Sequence, residues 1–103
     1  MQTYAKKRID LIIELPLLRR VTDALQKAGV AGYSVLPVIA GNGHYGPWSA
    51  DAQAGAAGQM AAIVCVLDEA KVDAALDAVF AVVRRQIGFV TVSDVAVIRS
   101  ERF

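Results

Sequence analysis

The first strongly patterned stretch of the chain alternates apolar and charged residues. Arg8–Leu15 reads RIDLIIEL, in which the apolar positions 9, 11 and 13 alternate with the charged positions 8, 10 and 14. A spacing of two predicts a β-strand with one buried face. Ile12 departs from the alternation, because it places an apolar side chain on the polar face.

A helical pattern follows this strand. Pro16 occupies a position that suits the first turn of a helix, and apolar residues then recur at helical spacing. They are Leu18, Val21, Leu25 and Ala28. Gly29 is a natural stop just beyond them. The pattern therefore predicts an amphipathic helix that ends before Gly29.

Two more strand patterns occur in the middle of the chain. Tyr33–Ala40 (YSVLPVIA) predicts a strand that lies at a sheet edge or bends, because Pro37 cannot donate a ladder hydrogen bond. Met60–Leu67 (MAAIVCVL) predicts a strand that is apolar on both faces.

The last third of the chain predicts a helix and a final strand. Asp68 can cap a helix that runs to about Gln86. Its predicted buried stripe consists of Val72, Ala75, Leu76, Val79, Phe80 and Val83. Gly88 ends the connection, and Phe89–Arg99 (FVTVSDVAVIR) predicts the fourth strand.

The order of these elements predicts one α+β domain over residues 1–103. In the ferredoxin-like βαββαβ sandwich, two helices cover one face of a four-stranded antiparallel sheet. Ile12 and the run Ile63–Leu67 place apolar side chains on both faces. Since the chain has no spare element for the second face, we expect another copy to cover it in a closed homo-oligomer.

Composition narrows the classes of function. The chain is 55% apolar with a net charge of +1, and no apolar run approaches the ~20 residues that span a bilayer. These values predict no membrane insertion and no strong attraction to nucleic acid. The single cysteine, and the charged residues that interrupt the first apolar run, favour a cytoplasmic protein. An RNA-binding module of this topology is disfavoured, because its base-stacking strand aromatics are missing.

Cysteine and histidine usage argues against a metal site. The single cysteine, Cys65, lies in an apolar run and is expected to be a small buried hydrophobic residue. One histidine and one buried cysteine cannot build a zinc site within one subunit.

A glycine-rich loop separates the second and third predicted strands. Gly41–Gln59 reads GNGHYGPWSADAQAGAAGQ, with five of the eight glycines and one formal charge. A structureless insertion of this length usually has a function. Glycine and alanine cannot pack a core there, so we expect a mobile loop that orders on binding. A surface loop without a ligand is the alternative.

The first half of this loop suits a small anion. Glycines 41, 43 and 46 allow backbone amides to point at an anion. His44 can act as a general base or donate to a bound anion, and its glycine-flanked position favours the ligand contact. The candidate anion-binding residues are Gly41, Asn42, Gly43, His44 and Tyr45.

The end of the chain, VIRSERF, carries Arg99 and Arg102, and Arg8, Arg84 and Arg85 add further positive charge. Guanidinium groups suit phosphate because their planar donors bind pairs of oxygens. From spacing alone, a solvated charged tail explains these residues equally well.

The chain resembles the PII superfamily of signalling proteins over nearly its whole length. KRIDLIIELPLLRRVTDALQKAGVAGYSV resembles the family's first strand, helix and second strand, including the turn at Gly29–Gly32. Residues Gly41–Gln59 occupy the place of the family's T-loop, and VSDVAVIRSER resembles its final strand and arginine-bearing tail. The fold itself hosts unrelated functions, so the motifs carry the resemblance.

The resemblance implies a homotrimer with adenine nucleotides in the clefts between subunits and a T-loop that changes shape with the ligand. The nucleotide-binding residues that it implies are Gly32, Tyr33, Ser34, Val64, Ile87, Gly88, Phe89, Arg99 and Arg102. Arg102 is offset by one from the second family arginine. No catalytic residue and no metal are implied.

Two segments narrow the implied ligands. QIGFV stands where nitrogen-sensing PII proteins have a Gly-Asp-Gly-Lys segment, whose lysine contacts the γ-phosphate and 2-oxoglutarate. Its absence favours ADP or AMP over ATP. GNGHYGPW is similar to carboxysome-associated PII proteins, which pair an adenine nucleotide with bicarbonate. That similarity implies a protein partner in inorganic-carbon metabolism, such as a bicarbonate transporter or a carboxysome-related protein.

A second class of function uses a similar order of elements. A dimeric α+β barrel enzyme would employ His44 or Tyr45 for proton transfer at a pocket over the sheet. It predicts a dimer, whereas the PII resemblance implies a trimer.

Overall fold

The computed structural model describes residues 1–43, 46–49, 59–86 and 88–103. The elements of these described residues are β1 (Tyr4–Glu14), α1 (Leu18–Lys27), β2 (Ser34–Pro37), β3 (Ala40–Gly43), β4 (Gly46–Ser49), β5 (Met60–Leu67), α2 (Val72–Val83) and β6 (Gly88–Val97). A short 3-10 turn precedes each helix, at Leu15–Leu17 and at Glu69–Lys71.

Four strands form one antiparallel sheet in the order β2-β5-β1-β6, and β3 pairs with β4 in a separate two-stranded sheet. The predicted α+β, ferredoxin-like arrangement is confirmed. Pro37 ends β2, which lies at an edge of the main sheet as its missing N–H predicts.

The core lies between the helices and one face of the sheet. Buried and more exposed residues alternate along β1, where Ile9, Leu11 and Ile13 are the buried ones. Burial alternates in the same way along β5, in register with β1. The further buried apolar residues are Leu17, Val21, Leu25, Val30, Ala61, Ile63, Cys65, Leu67, Ala75 and Val79. Cys65 is thus a buried hydrophobic residue, as predicted. Within the described ranges, no helix is long and apolar enough to cross a bilayer.

Several boundaries differ from the sequence predictions. Strand β1 begins at Tyr4 rather than at Arg8, because Lys6 and Lys7 are both paired with carboxylates and can lie within the sheet. Helix α2 ends at Val83, three residues before Gln86. The predicted strand through Ala40 ends at Pro37, and Ala40 instead begins β3.

Two predictions about α2 are wrong in detail. The helical spacing predicts Phe80 in the buried stripe, yet this residue is 63% exposed, because the helix turns that position away from the sheet. Asp68 makes no side-chain cap to the turn that precedes α2; its carboxylate pairs with Lys6 instead.

Candidate functional site

A cleft of about 280 Å³ lies between the end of α2 and the beginning of β6. Its lining residues are Ile12, Ile13, Phe80, Val83, Arg84, Gln86, Gly88, Phe89 and Val90. Most of these side chains are apolar, and Arg84 supplies the positive charge. The cleft can therefore hold a flat apolar group with a negatively charged extension at the end of α2.

Gly88 determines the shape of this cleft. It has a φ of +142°, and a Cβ on it would lie 2.1 Å from the carbonyl oxygen of Ile12. Only glycine allows the backbone of β6 to approach β1 so closely at this point. Phe89 follows directly and remains 57% exposed. The predicted residues Gly88 and Phe89 thus lie together in the cleft.

The cleft continues into an apolar row on the sheet face opposite the core. The register pairs Leu36 with Ala62, Ala62 with Ile12, and Ile12 with Phe89. We call these four residues the apolar row. The predicted role of Ile12 as an apolar residue on the second face is confirmed, since it stands at the centre of this row.

Another group of predicted residues lies at the opposite sheet edge. Ser34 on β2 pairs in register with Val64 on β5, and both face the same side of the sheet as the apolar row. Gly32 and Tyr33 directly precede β2, and Tyr33 is partly buried against the core. The structure therefore brings these four residues together at the β2 edge.

Arg99 and Arg102 lie far from the cleft. They follow the end of β6, whereas Gly88 begins this ten-residue strand. At ~3.4 Å per residue the two ends of β6 are about 30 Å apart, farther than one nucleotide extends. One chain does not bring the cleft residues and the tail arginines to the same ligand.

The beginning of the predicted T-loop is a β-hairpin. Gly41 pairs with Trp48, Asn42 with Pro47, and Gly43 with Gly46. The expectation of a structureless segment is therefore wrong for its first part, because main-chain pairing needs no core-forming side chains. The predicted residues His44, Tyr45 and Ile87 lie outside the described residues.

Charged side chains in the first half of β1 are paired with carboxylates. Arg8 donates two hydrogen bonds of 2.9 Å to the Asp10 carboxylate, and these bonds raise the pKa of Arg8. A hydrogen bond and the charge of Asp94 raise the pKa of Lys7 in the same way. Within the described chain Arg84 has no ion-pair partner, so its positive charge is available to a ligand.

Sequence reasoning did not single out Phe80 or Gln86 for this cleft. The helical spacing of Phe80 and Arg84, four residues apart near the end of α2, is a signal that could have linked them.

Comparison with known proteins agrees with this fold. CPII, a nitrogen regulatory PII-like protein from Thiomonas intermedia K12, has been solved bound to ADP, AMP and bicarbonate; it has a TM-score of 0.85 and 26% identity over 95% of this chain and 92% of that one. The same protein bound to ADP and bicarbonate gives a TM-score of 0.81 at 26% identity over 95% and 93%.

A more distant structure supports the fold alone. The putative PII-like signaling protein from Thermus thermophilus has a TM-score of 0.82 at 19% identity, over 100% of this chain and 99% of that one. Among curated proteins, none matches the chain.

The family comparison covers almost the whole molecule. The model of the family "Nitrogen regulatory protein P-II" matches residues 6–102, which include every strand and helix described above except the first two residues of β1. The chain belongs to the nitrogen regulatory protein P-II family and is a PII-like signalling protein.

Proposed function

We propose that this protein is a nucleotide-gated signalling trimer. It binds ADP or AMP in the clefts between subunits, with a small anion such as bicarbonate as co-ligand. Nucleotide binding then orders the T-loop, which regulates a partner in inorganic-carbon metabolism. The CPII structures that contain ADP, AMP and bicarbonate support this choice of ligands.

The separation of the candidate residues along β6 carries the proposal. Gly88 and Phe89 stand at one end of the strand, and Arg99 and Arg102 follow the other end, about 30 Å away. A second copy can supply the tail arginines to the cleft of the first. A ligand between copies is therefore the arrangement that uses both groups.

The chemistry of the cleft suits a nucleotide. Its apolar lining, with Phe89 and Phe80, can pack against an adenine ring, and Arg84 can pair with a phosphate at the end of α2. Among the described residues that line the cleft, Arg84 offers the one guanidinium. The tail arginines of the neighbouring copy would supply the further positive charge that a diphosphate needs.

The apolar row supports assembly. Leu36 and Phe89 at its two ends are 46% and 57% exposed in the single chain, and Ile12 and Ala62 lie between them. Apolar side chains in a continuous row across a sheet favour coverage by another copy. Three copies around one axis would cover all three rows and create three equivalent clefts.

The hairpin provides a place for the anion. Gly41, Asn42 and Gly43 lie on β3, and the two glycines place no side chain between the main chain and a small planar anion. We propose that these residues, with His44 and Tyr45 of the same segment, form the bicarbonate site. Such a site would couple the anion to the shape of the T-loop.

Calorimetry with ADP, AMP and ATP, each with and without bicarbonate, tests the proposal. We expect micromolar or tighter binding of ADP or AMP, and a change in affinity when bicarbonate is present. Arg99→Ala should weaken ADP binding, whereas Arg20→Ala on the solvent side of α1 should not. If none of the three nucleotides binds, the proposal is wrong. A dimer measured by light scattering would favour the dimeric α+β barrel enzyme instead.

A further inference from the structure

The end of the described chain is fastened to two other elements. The N–H of Asp68, just beyond β5, donates a hydrogen bond of 3.1 Å to the main-chain oxygen of Phe103. The Lys6 Nζ on β1 lies 5.5 Å from the centroid of the Phe103 ring. The same Nζ pairs with the Asp68 carboxylate at 2.5 Å. We call Lys6, Asp68 and Phe103 the tail anchor.

The tail anchor defines the path of the last six residues. Strand β6 ends at Val97 on one edge of the sheet, and β5 lies two strands away beyond β1. The tail therefore crosses the beginning of β1 to reach Asp68. The Lys6 side chain is only 11% exposed, and a cation that is shielded from water binds an aromatic ring more strongly than an exposed one.

The backbone at Arg102 has an uncommon conformation. Its φ is +74°, and within the described ranges it is the one non-glycine residue with a positive φ. A residue with a side chain enters this region at a cost in free energy, and it stays there when surrounding contacts fix it. The contacts of Phe103, the next residue, can provide that fixation.

We propose that the tail anchor positions Arg99 and Arg102 for the phosphates of the nucleotide, while Phe103 itself contacts no ligand. The inference rests on the proposed nucleotide-binding function. The two arginines lie between the end of β6 and the anchored Phe103, so both ends of their segment are fixed before binding. A ligand then has little conformational freedom to remove from the tail, which raises its affinity.

Substitutions in the tail anchor test this role. Phe103→Ala removes the ring, and Lys6→Met removes the cation but keeps a long side chain. Phe103→Trp keeps an aromatic face. Lys7→Met is the matched control, because in the described structure the neighbouring lysine pairs with Asp94 rather than with the tail. ADP affinity is measured by calorimetry, and exchange of the Asp68 amide by NMR.

We expect Phe103→Ala and Lys6→Met to weaken ADP binding by about tenfold, since fixing one residue of backbone corresponds to about this change. In both variants the Asp68 amide should exchange faster than in the wild type. Phe103→Trp and Lys7→Met should resemble the wild type in both measurements.

A double-mutant comparison separates positioning from general stability. In a chain that carries Arg102→Ala, the further change Phe103→Ala should lower ADP affinity by a smaller factor than in the wild type, because one of the positioned arginines is already missing. An equal loss in both backgrounds would overturn the inference. If Phe103→Ala does not fold, Lys6→Met answers the same question.

The remaining outcomes are also decisive. Unchanged or tighter ADP binding by Phe103→Ala would contradict the positioning role, and unchanged Asp68 exchange would contradict the anchor itself. If the wild-type protein binds no adenine nucleotide, the proposed function fails and the positioning role fails with it. Wild-type binding with an ineffective Phe103→Ala leaves the proposed function standing.

Discussion

At the scale of single residues, two glycines with positive φ differ in what surrounds them. Gly29, after α1, has a φ of +93° and open space where a Cβ would stand. Gly88 has a φ of +142° and the Ile12 carbonyl oxygen 2.1 Å from that position. Both backbone conformations disfavour a residue with a side chain. At position 88, but not at position 29, a Cβ would also force two strands apart.

We therefore expect Gly29→Ala to lower the free energy of unfolding by about 1–2 kcal/mol, the cost of a left-handed residue. Gly88→Ala should cost more, on the order of 3 kcal/mol, because strand displacement adds to backbone strain. Urea unfolding of both variants measures the difference. Equal losses would show that the contact with Ile12 relaxes easily.

Cys65 illustrates how burial controls a reactive group. It is 3% exposed, and burial raises the pKa of its thiol. The unfolded chain then loses this proton at a lower pH than the folded chain. The Cys65 contribution to stability is thus complete below about pH 8.5, the ordinary thiol pKa, and declines as the pH rises above it.

The prediction is a fall in the urea midpoint between pH 8 and pH 9.5 that is smaller in Cys65→Ala. The Lys7–Asp94 pair does not interfere in this window, because the raised pKa of Lys7 makes its contribution decline only above about pH 10.4. A native thiol that reacts with Ellman's reagent as fast as the denatured one would contradict the burial argument.

At the scale of elements, α2 offers adjacent residues in opposite environments. Val79 is 1% exposed against the core, whereas Phe80 is 63% exposed. In nucleotide-free protein, Val79→Ala should cost about 2 kcal/mol of unfolding free energy, from lost apolar burial. Phe80→Ala should change it by less than about 0.5 kcal/mol.

Denaturant unfolding of the two variants checks this contrast. A large loss for Phe80→Ala would mean that its ring is buried in the assembled protein, and dilution should then reduce the loss. ADP affinity should fall more in Phe80→Ala than in Val79→Ala, because Phe80 lines the cleft and Val79 does not.

Some strand bounds can be predicted from the sequence pattern and others cannot. Strand β5 has the bounds of the MAAIVCVL run, because every second residue of that run is buried in the core and a charged residue, Asp68, follows it. The early start of β1 could not be predicted, since it depends on pairing Lys6 with Asp68 and Lys7 with Asp94, residues distant in sequence. Main-chain pairing in the β3–β4 hairpin likewise leaves little trace in side-chain periodicity.

The candidate site was predictable only in parts. The resemblance to PII proteins pointed to Gly88 and Phe89, which lie together in the cleft, and to Ser34 and Val64, which pair in register. The tail anchor left no signal, because nothing in VIRSERF indicates that Phe103 returns to Lys6.

At the scale of the whole molecule, the apolar row should control assembly. Leu36→Asp places a carboxylate at one end of the row, where a second copy would have to bury it without a partner. We expect a trimer for the wild-type chain of 11.0 kDa and a monomer for Leu36→Asp. Ala81→Asp, on the exposed side of α2, is the control and should remain a trimer.

Light scattering during size-exclusion chromatography gives these masses. A Leu36→Asp protein that keeps the wild-type mass would show that the copies meet through another surface. ADP binding should be lost together with assembly.

The length of β6 has a genetic consequence. Arg84→Glu damages the cleft, and Arg99→Glu damages the tail at the far end of the strand, so neither protein should bind ADP alone. Refolded together, the two defective chains should complement each other, because some junctions then join an intact cleft to an intact tail. Random mixing in equal amounts restores about a quarter of the sites. Two mutant genes whose products are each inactive alone should restore signalling when both are expressed in one cell.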